Sequence, residues 1–117
     1  MSINRSDFNS IDLTDVADTS FPQLDPIHPG EILREDWLEP MGITPYRAAR
    51  EMGVPPNRLT AILSGDRAIT ADTAVRLGLY FGTDPQSWLN LQAHYDLEVT
   101  LRKHGAEIAQ TVTPHAA

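Results

Sequence analysis

The chain has 117 residues, no cysteine and a formal net charge of −7. That length suits one domain with a tail or two, the missing cysteine excludes disulfide and thiol chemistry, and no apolar run reaches the roughly 20 residues of a membrane span. The opening Met1-Ser2-Ile3-Asn4-Arg5-Ser6-Asp7 also lacks the apolar core of a secretion signal, so a cytoplasmic protein is expected.

Residues 1–26 are rich in Ser, Asp, Thr and Asn, and carry Asp7, Asp12, Asp15, Asp18 and Asp25 against Arg5 alone. Their apolar residues are too sparse to close a core, which predicts a flexible acidic extension. Pro22, Pro26 and Pro29 mark its boundary with a folded domain over 27–105, followed by a tail over 106–117. A first helix is predicted over 30–39, with Leu33 and Trp37 on one side and Pro40 and Gly42 as its stop. Thr44 then reads as an N-cap and Pro45 as the first residue of a second helix, with Ala48, Ala49 and Met52 inward and Gly53 at its end. Pro55-Pro56 opens a third helix, which turns Leu59, Ile62 and Leu63 inward and ends at Ser64-Gly65. Thr70 caps a fourth, with Ala74, Leu77, Gly78 and Phe81 inward and Gly82 after it. Thr83 or Asp84 caps a fifth, in which Trp88, Leu91, Tyr95 and Val99 share one side and Gly105 is the stop. The prediction is an all-α domain of five helices.

The middle segment carries the chemistry. Two helices crossing through a tight turn need a small residue at their contact, a glycine at the reversal and apolar anchors on the second helix. Ala49, Gly53, and Val54 with Leu59 and Ile62 meet those needs. The same spacings also fit an ordinary helical hairpin. In the helix-turn-helix reading, 3.6-residue periodicity puts Asn57, Thr60, Ala61 and Ser64 on the outer face of the third helix, where its N-terminal turns meet base edges. Asn57 suits adenine, while Ala61 or the Thr60 methyl suits thymine. Pro56 offers only apolar contact, and Arg58 is assigned to bases or phosphate. Thr44 at its helix N-terminus, with Arg47, Arg50 and Arg67, is assigned to phosphate. Charge follows the same map: residues 44–67 carry four arginines against Glu51 and Asp66, a local +2 within an acidic chain.

The residues also carry a resemblance. Thr44 to Gly65 resembles the helix-turn-helix of the phage-repressor (Cro/C1, lambda-repressor-like) superfamily. More narrowly, three blocks in order are similar to the HigA family of antitoxins: His28-Pro29-Gly30-Glu31-Ile32-Leu33, Leu63-Ser64-Gly65-Asp66-Arg67-Ala68-Ile69-Thr70-Ala71-Asp72-Thr73-Ala74, and Trp88-Leu89-Asn90-Leu91-Gln92-Ala93-His94-Tyr95-Asp96-Leu97. The resemblance covers residues 27 to about 100. It implies a homodimeric repressor that binds and blocks a HigB-type ribonuclease toxin and represses its own operon at palindromic operator DNA. A dimer is also the physical expectation, because a single small motif reads only a few base pairs. Trp88, Leu91, Tyr95 and Val99 are its candidate interface.

Two other readings remain open. One is a stand-alone repressor without a toxin. The other is a protein-interaction module with residual DNA affinity, favoured by the acidic balance. His28, His94, His104 and His115 have no metal-ligand spacing, and no nucleophile elbow or phosphate loop is present, so neither a metal, a cofactor nor an enzymatic activity is expected.

Overall fold

The computed structural model describes residues 25–116, so the acidic extension, apart from Asp25 and Pro26, lies outside the described residues. Among the described residues there are five helices and no strand. Helix α1 (residues 29–41) is composite: an α-helical Pro29–Ile32, a π-helical Leu33–Leu38 and an α-helical Glu39–Met41. It is followed by α2 (Pro45–Met52), α3 (Pro56–Leu63), α4 (Ala71–Phe81) and α5 (Pro85–Thr111).

The starts of these helices are chemical. The Arg47 N–H donates to Thr44 Oγ1 at 3.2 Å, and the Thr73 N–H to Thr70 Oγ1 at 3.5 Å. At the fifth start the cap is Asp84, whose Oδ1 accepts the Gln86 N–H at 2.9 Å. Thr83 is used otherwise: its hydroxyl oxygen accepts the Trp88 indole N–H at 2.8 Å. Each bond to Thr44, Thr70 or Asp84 satisfies a backbone donor that the helix itself cannot reach. Helix α1 is capped by His28, whose Nδ1 accepts the Gly30 N–H at 2.9 Å.

Two helix ends differ from expectation. Pro40 does not stop α1, which continues to Met41. A proline in a regular helix clashes with the carbonyl four residues back, here that of Asp36. The preceding turn is widened to a five-residue bond, with the Glu39 N–H reaching the Arg34 carbonyl, and this gives the ring room. Gly105 does not end α5, which runs on to Thr111. A helix-interior glycine costs about 1 kcal/mol relative to alanine, too little to break a long helix.

The described residues divide into two compact units, Pro26–Leu97 and a second holding Asp25 and the chain from Glu98 onward. In the second, Arg102 lies 3.6 Å from Asp25 and 3.9 Å from Glu98, and His104 lies 3.7 Å from Glu107. The first holds the core: Leu33 and Leu38 of α1, Ala48, Ala49 and Met52 of α2, Leu59, Ile62 and Leu63 of α3, Ala74 and Leu77 of α4, and Trp88 of α5. Val54 and Ile69 enter it from the connecting turns, and Trp37 and Phe81 pack on its edge with ring centroids 5.0 Å apart.

Helix α1 lies backbone to backbone against α3 at Gly30. A Cβ on Gly30 would fall on the backbone carbonyl of Ile62, so only glycine lets the start of α1 lie against the end of α3. Because backbone rather than a flexible side chain stands in the way, Gly30→Ala is expected to destabilise the domain by about 1–3 kcal/mol or more, as overpacking does. A lowered urea midpoint at unchanged slope is the measurement.

Candidate nucleic-acid interface

Helices α2 and α3 and the turn between them form the helix-turn-helix. The turn is a helix end closed by two backbone bonds, Gly53 N–H to the Arg50 carbonyl (3.2 Å) and Val54 N–H to the Ala49 carbonyl (3.0 Å). This double closure needs a left-handed residue, and Gly53 has φ 73°. Val54 then drops into the core while Ala49, fully buried, lets α3 approach.

The outer face of α3 bears Pro56, Asn57 and Thr60, all exposed, and Ala61, half-buried. Ser64, exposed, follows at its end. The Thr60 hydroxyl donates to the Asn57 carbonyl at 3.2 Å, and the Ser64 hydroxyl lies 3.1 Å from the Ala61 carbonyl and 2.9 Å from Asp66 Oδ2. Those bonds order the side chains without hiding their oxygens. The arginines assigned to DNA differ in their freedom. Arg50 and Arg67 are exposed and make no ion pair among the described residues. Arg47, also exposed, donates to Glu51 Oε1 at 3.2 Å, and Thr44 is occupied as the cap of α2. Arg58 is half-buried and turned toward α4, where its Nη1 lies 3.3 Å from Asp72 Oδ1.

That last bond is one rung of a ladder along α4 that sequence reasoning did not find. Asp72, Arg76 and Tyr80 lie four residues apart, on one side of the helix. Arg76 Nε donates to Asp72 Oδ1 at 2.8 Å, while Arg76 Nη1 donates to the Met52 carbonyl at 2.9 Å and lies 3.5 Å from the Gly53 carbonyl. The Tyr80 hydroxyl donates to Glu51 Oε1. The hydrogen bond from Arg76, with the charges of both arginines, holds the Asp72 carboxyl below its ordinary range. The bond from Tyr80, with Arg47, does the same for Glu51. Burial and the facing Glu51 raise the phenol of Tyr80. The four-residue spacing was visible in the sequence, but backbone carbonyls as partners of Arg76 were not.

The loop after α3 is held from the other side. Gln92 of α5 is buried; its Oε1 accepts the Ile69 N–H at 2.8 Å and its Nε2 donates to Asp96 Oδ1 at 3.0 Å. His28 packs by Gly65, and its ring meets that of Tyr95 edge to face at 4.9 Å. Of the candidate dimer residues, Trp88 is only 3% exposed and is spent in the core of its own protomer. Leu91 is exposed, Tyr95 half-buried against His28, and Val99 half-buried. Among the described residues no three His, Asp or Glu side chains gather as a metal site, and no helix is long and apolar enough to cross a membrane.

Comparison with known proteins agrees with this geometry. A helix-turn-helix family matches residues 35–88. Antitoxin HigA-1 of Vibrio cholerae is 38% identical over 89 residues, which cover 76% of this chain and 83% of that protein. The chain belongs to the HigA family of antitoxins. Among solved structures, a HigA-family addiction-module antidote protein from Coxiella burnetii superposes with a TM-score of 0.73 at 49% identity, covering 79% of this chain and all of that one. Antitoxin HigA of Pseudomonas aeruginosa, solved with the higBA promoter, superposes with a TM-score of 0.74 at 41% identity, covering 78% of this chain and 99% of that one. The matched lengths show that the HigA likeness extends beyond the helix-turn-helix into the flanking helices.

Burial lowers the pKa of His28 below its ordinary 6.5, against opposing contributions from Asp96, the Arg67 backbone and Asp66. The folded state therefore binds this proton less readily than the unfolded chain. The stability that His28 contributes is complete above about pH 6.5 and is lost as pH falls through the lowered folded value. Protonation also fills the Nδ1 lone pair that caps Gly30. The thermal midpoint of the wild type is expected to fall between pH 7 and 5 more steeply than that of His28→Asn, which keeps a capping oxygen but cannot titrate. Parallel pH profiles would show that His28 is not the titrating group.

Proposed function

We propose that this chain is the antitoxin of a type II toxin–antitoxin pair, which represses its own operon by binding operator DNA and neutralises a HigB-like ribonuclease toxin in the cytoplasm. The observation that carries the DNA half is the exposed face of Asn57 and Thr60 on α3, with Ser64 at its end, flanked by the exposed Arg50 and Arg67, in a family whose P. aeruginosa member was solved with its promoter. In this reading α3 enters the major groove. Asn57 reads a base edge, Pro56, Thr60, Ala61 and Ser64 shape the contact, and Arg47, Arg50, Arg67 and the N-terminus of α2 at Thr44 hold phosphates. The toxin half rests on family membership and on charge: the net −7, with Glu35, Asp36 and Glu39 exposed on α1, favours a basic partner. The charge pattern also favours a second reading, a partner-neutralising module with only residual DNA affinity.

Titration of the protein against its own upstream DNA and against random DNA, at two salt concentrations, separates the readings. Repression predicts a clear preference for the upstream DNA, with steep salt dependence; no preference at either salt leaves the interaction module. Within that assay, Asn57→Ala is expected to weaken operator binding by about 1–3 kcal/mol and to relax one base position. Arg67→Ala is expected to weaken all DNA alike and to lower the salt slope by about one. Equal losses on operator and random DNA for Asn57→Ala, or a loss confined to operator for Arg67→Ala, would contradict these roles.

The proposed active form is a symmetric homodimer, which sets two α3 helices about 34 Å apart for a palindromic operator. With Trp88 buried, the exposed Leu91 and the half-exposed Tyr95 are the candidate interface residues in the first compact unit that remain open to a second copy. Sedimentation with operator DNA should give two chains per site, and Leu91→Glu should shift the free protein toward monomer. One chain per operator would remove the dimer.

A further inference from the structure

We propose that the polar ladder on α4 is the alignment device of the DNA-reading unit, with Arg76 as its positioning residue. The proposal rests on the operator-binding reading above and adds residues outside the contact surface.

The argument starts from what α3 lacks. Its buried side chains fix how deeply it sits, but apolar contacts are non-directional and leave its tilt against α2 to the turn. That turn ends in carbonyls that the helix leaves unsatisfied. Arg76 takes the Met52 carbonyl at 2.9 Å and approaches that of Gly53 at 3.5 Å, across the reversal. The same guanidinium holds Asp72 at 2.8 Å, and the same carboxylate oxygen holds Arg58, in the first turn of α3, at 3.3 Å. One arginine on α4 thereby ties the end of α2 to the start of α3. Tyr80, one turn further on, ties α4 to Glu51 of α2 and through it to Arg47.

The arrangement has two consequences for DNA. Base reading requires the helix to be held to within about 0.5 Å and 10–20°, whereas phosphate attraction tolerates much more. A loosened clamp should therefore cost operator affinity and spare random DNA. Arg58, counted by charge among the DNA-facing cations, is also occupied by Asp72. Its charge is withheld from sequence-independent attraction, so Arg58 serves as a staple of α3.

Arg76→Lys tests the first point at constant formal charge. An ammonium on a flexible stem cannot fork between a carboxylate and a carbonyl as the guanidinium does. Operator affinity should fall about tenfold, roughly the worth of one bidentate base contact, with random-DNA affinity and salt slope as in the wild type. A purely structural role would lower both affinities together as the folded fraction falls, which circular dichroism at the assay temperature reads directly. Unchanged operator affinity, or parallel losses on both DNAs, overturns the proposal. A wild type that shows no operator preference removes the DNA-reading assignment itself, a result distinct from a discriminating wild type matched by its Lys variant.

Asp72→Asn tests the second point. It leaves Arg76 on the turn carbonyls and frees Arg58, so binding to random DNA should strengthen and its salt slope steepen by about 0.9, one added phosphate contact. An unchanged slope would show that Arg58 was never withheld.

Discussion

Helix α3 has eight residues, and a helix that short does not persist in water by its own hydrogen bonds. Its existence, and the direction of its outer face, depend on the burial of Leu59, Ile62 and Leu63 against the other helices. Much else in the Pro26–Leu97 unit serves that constraint. The start of α1 closes on the Ile62 carbonyl through a position that only glycine can occupy. The Ala49–Gly53–Val54 turn brings α2 alongside. Gln92 satisfies the Ile69 N–H, so the loop that leaves α3 has a fixed course rather than a water-dependent one.

The charge distribution follows from the same division of labour. An acidic chain can approach DNA only where its cations are concentrated and its carboxylates are occupied. Around the helix-turn-helix, Glu51 and Asp72 are each bound to an arginine, and Glu51 also to Tyr80, which ties their negative charge to neighbouring cations. Asp66 instead accepts from the Ser64 hydroxyl at the end of α3. The remaining acid lies largely elsewhere, on α1 and before residue 27, where a basic protein partner rather than a phosphate backbone is the natural complement.

Sequence alone determined a good deal, because the signals it used are local. The caps Thr44 and Thr70, the prolines at first helical positions and the glycine at the α2–α3 reversal act within one turn of chain. The inward stripes of α2, α3 and α4 follow from 3.6-residue periodicity, and these signals together yielded five helices and the exposed face of Asn57, Thr60 and Ser64. The three blocks that resemble HigA supplied the family, which the comparisons show.

Tertiary structure decided what depends on partners distant in sequence. Pro40 reads as a stop, yet a widened turn absorbs it because Leu38 has a core to enter. Trp88 on an amphipathic stripe reads both as core and as a contact for a second subunit, and packing leaves it to the core of its own chain. Arg58 reads as a free cation until Asp72, fourteen residues away, is brought beside it. Arg76 had no visible role, since its acceptors are backbone carbonyls more than twenty residues distant. Periodicity tells which face a residue occupies; the identity of what meets that face is set by the way the helices pack.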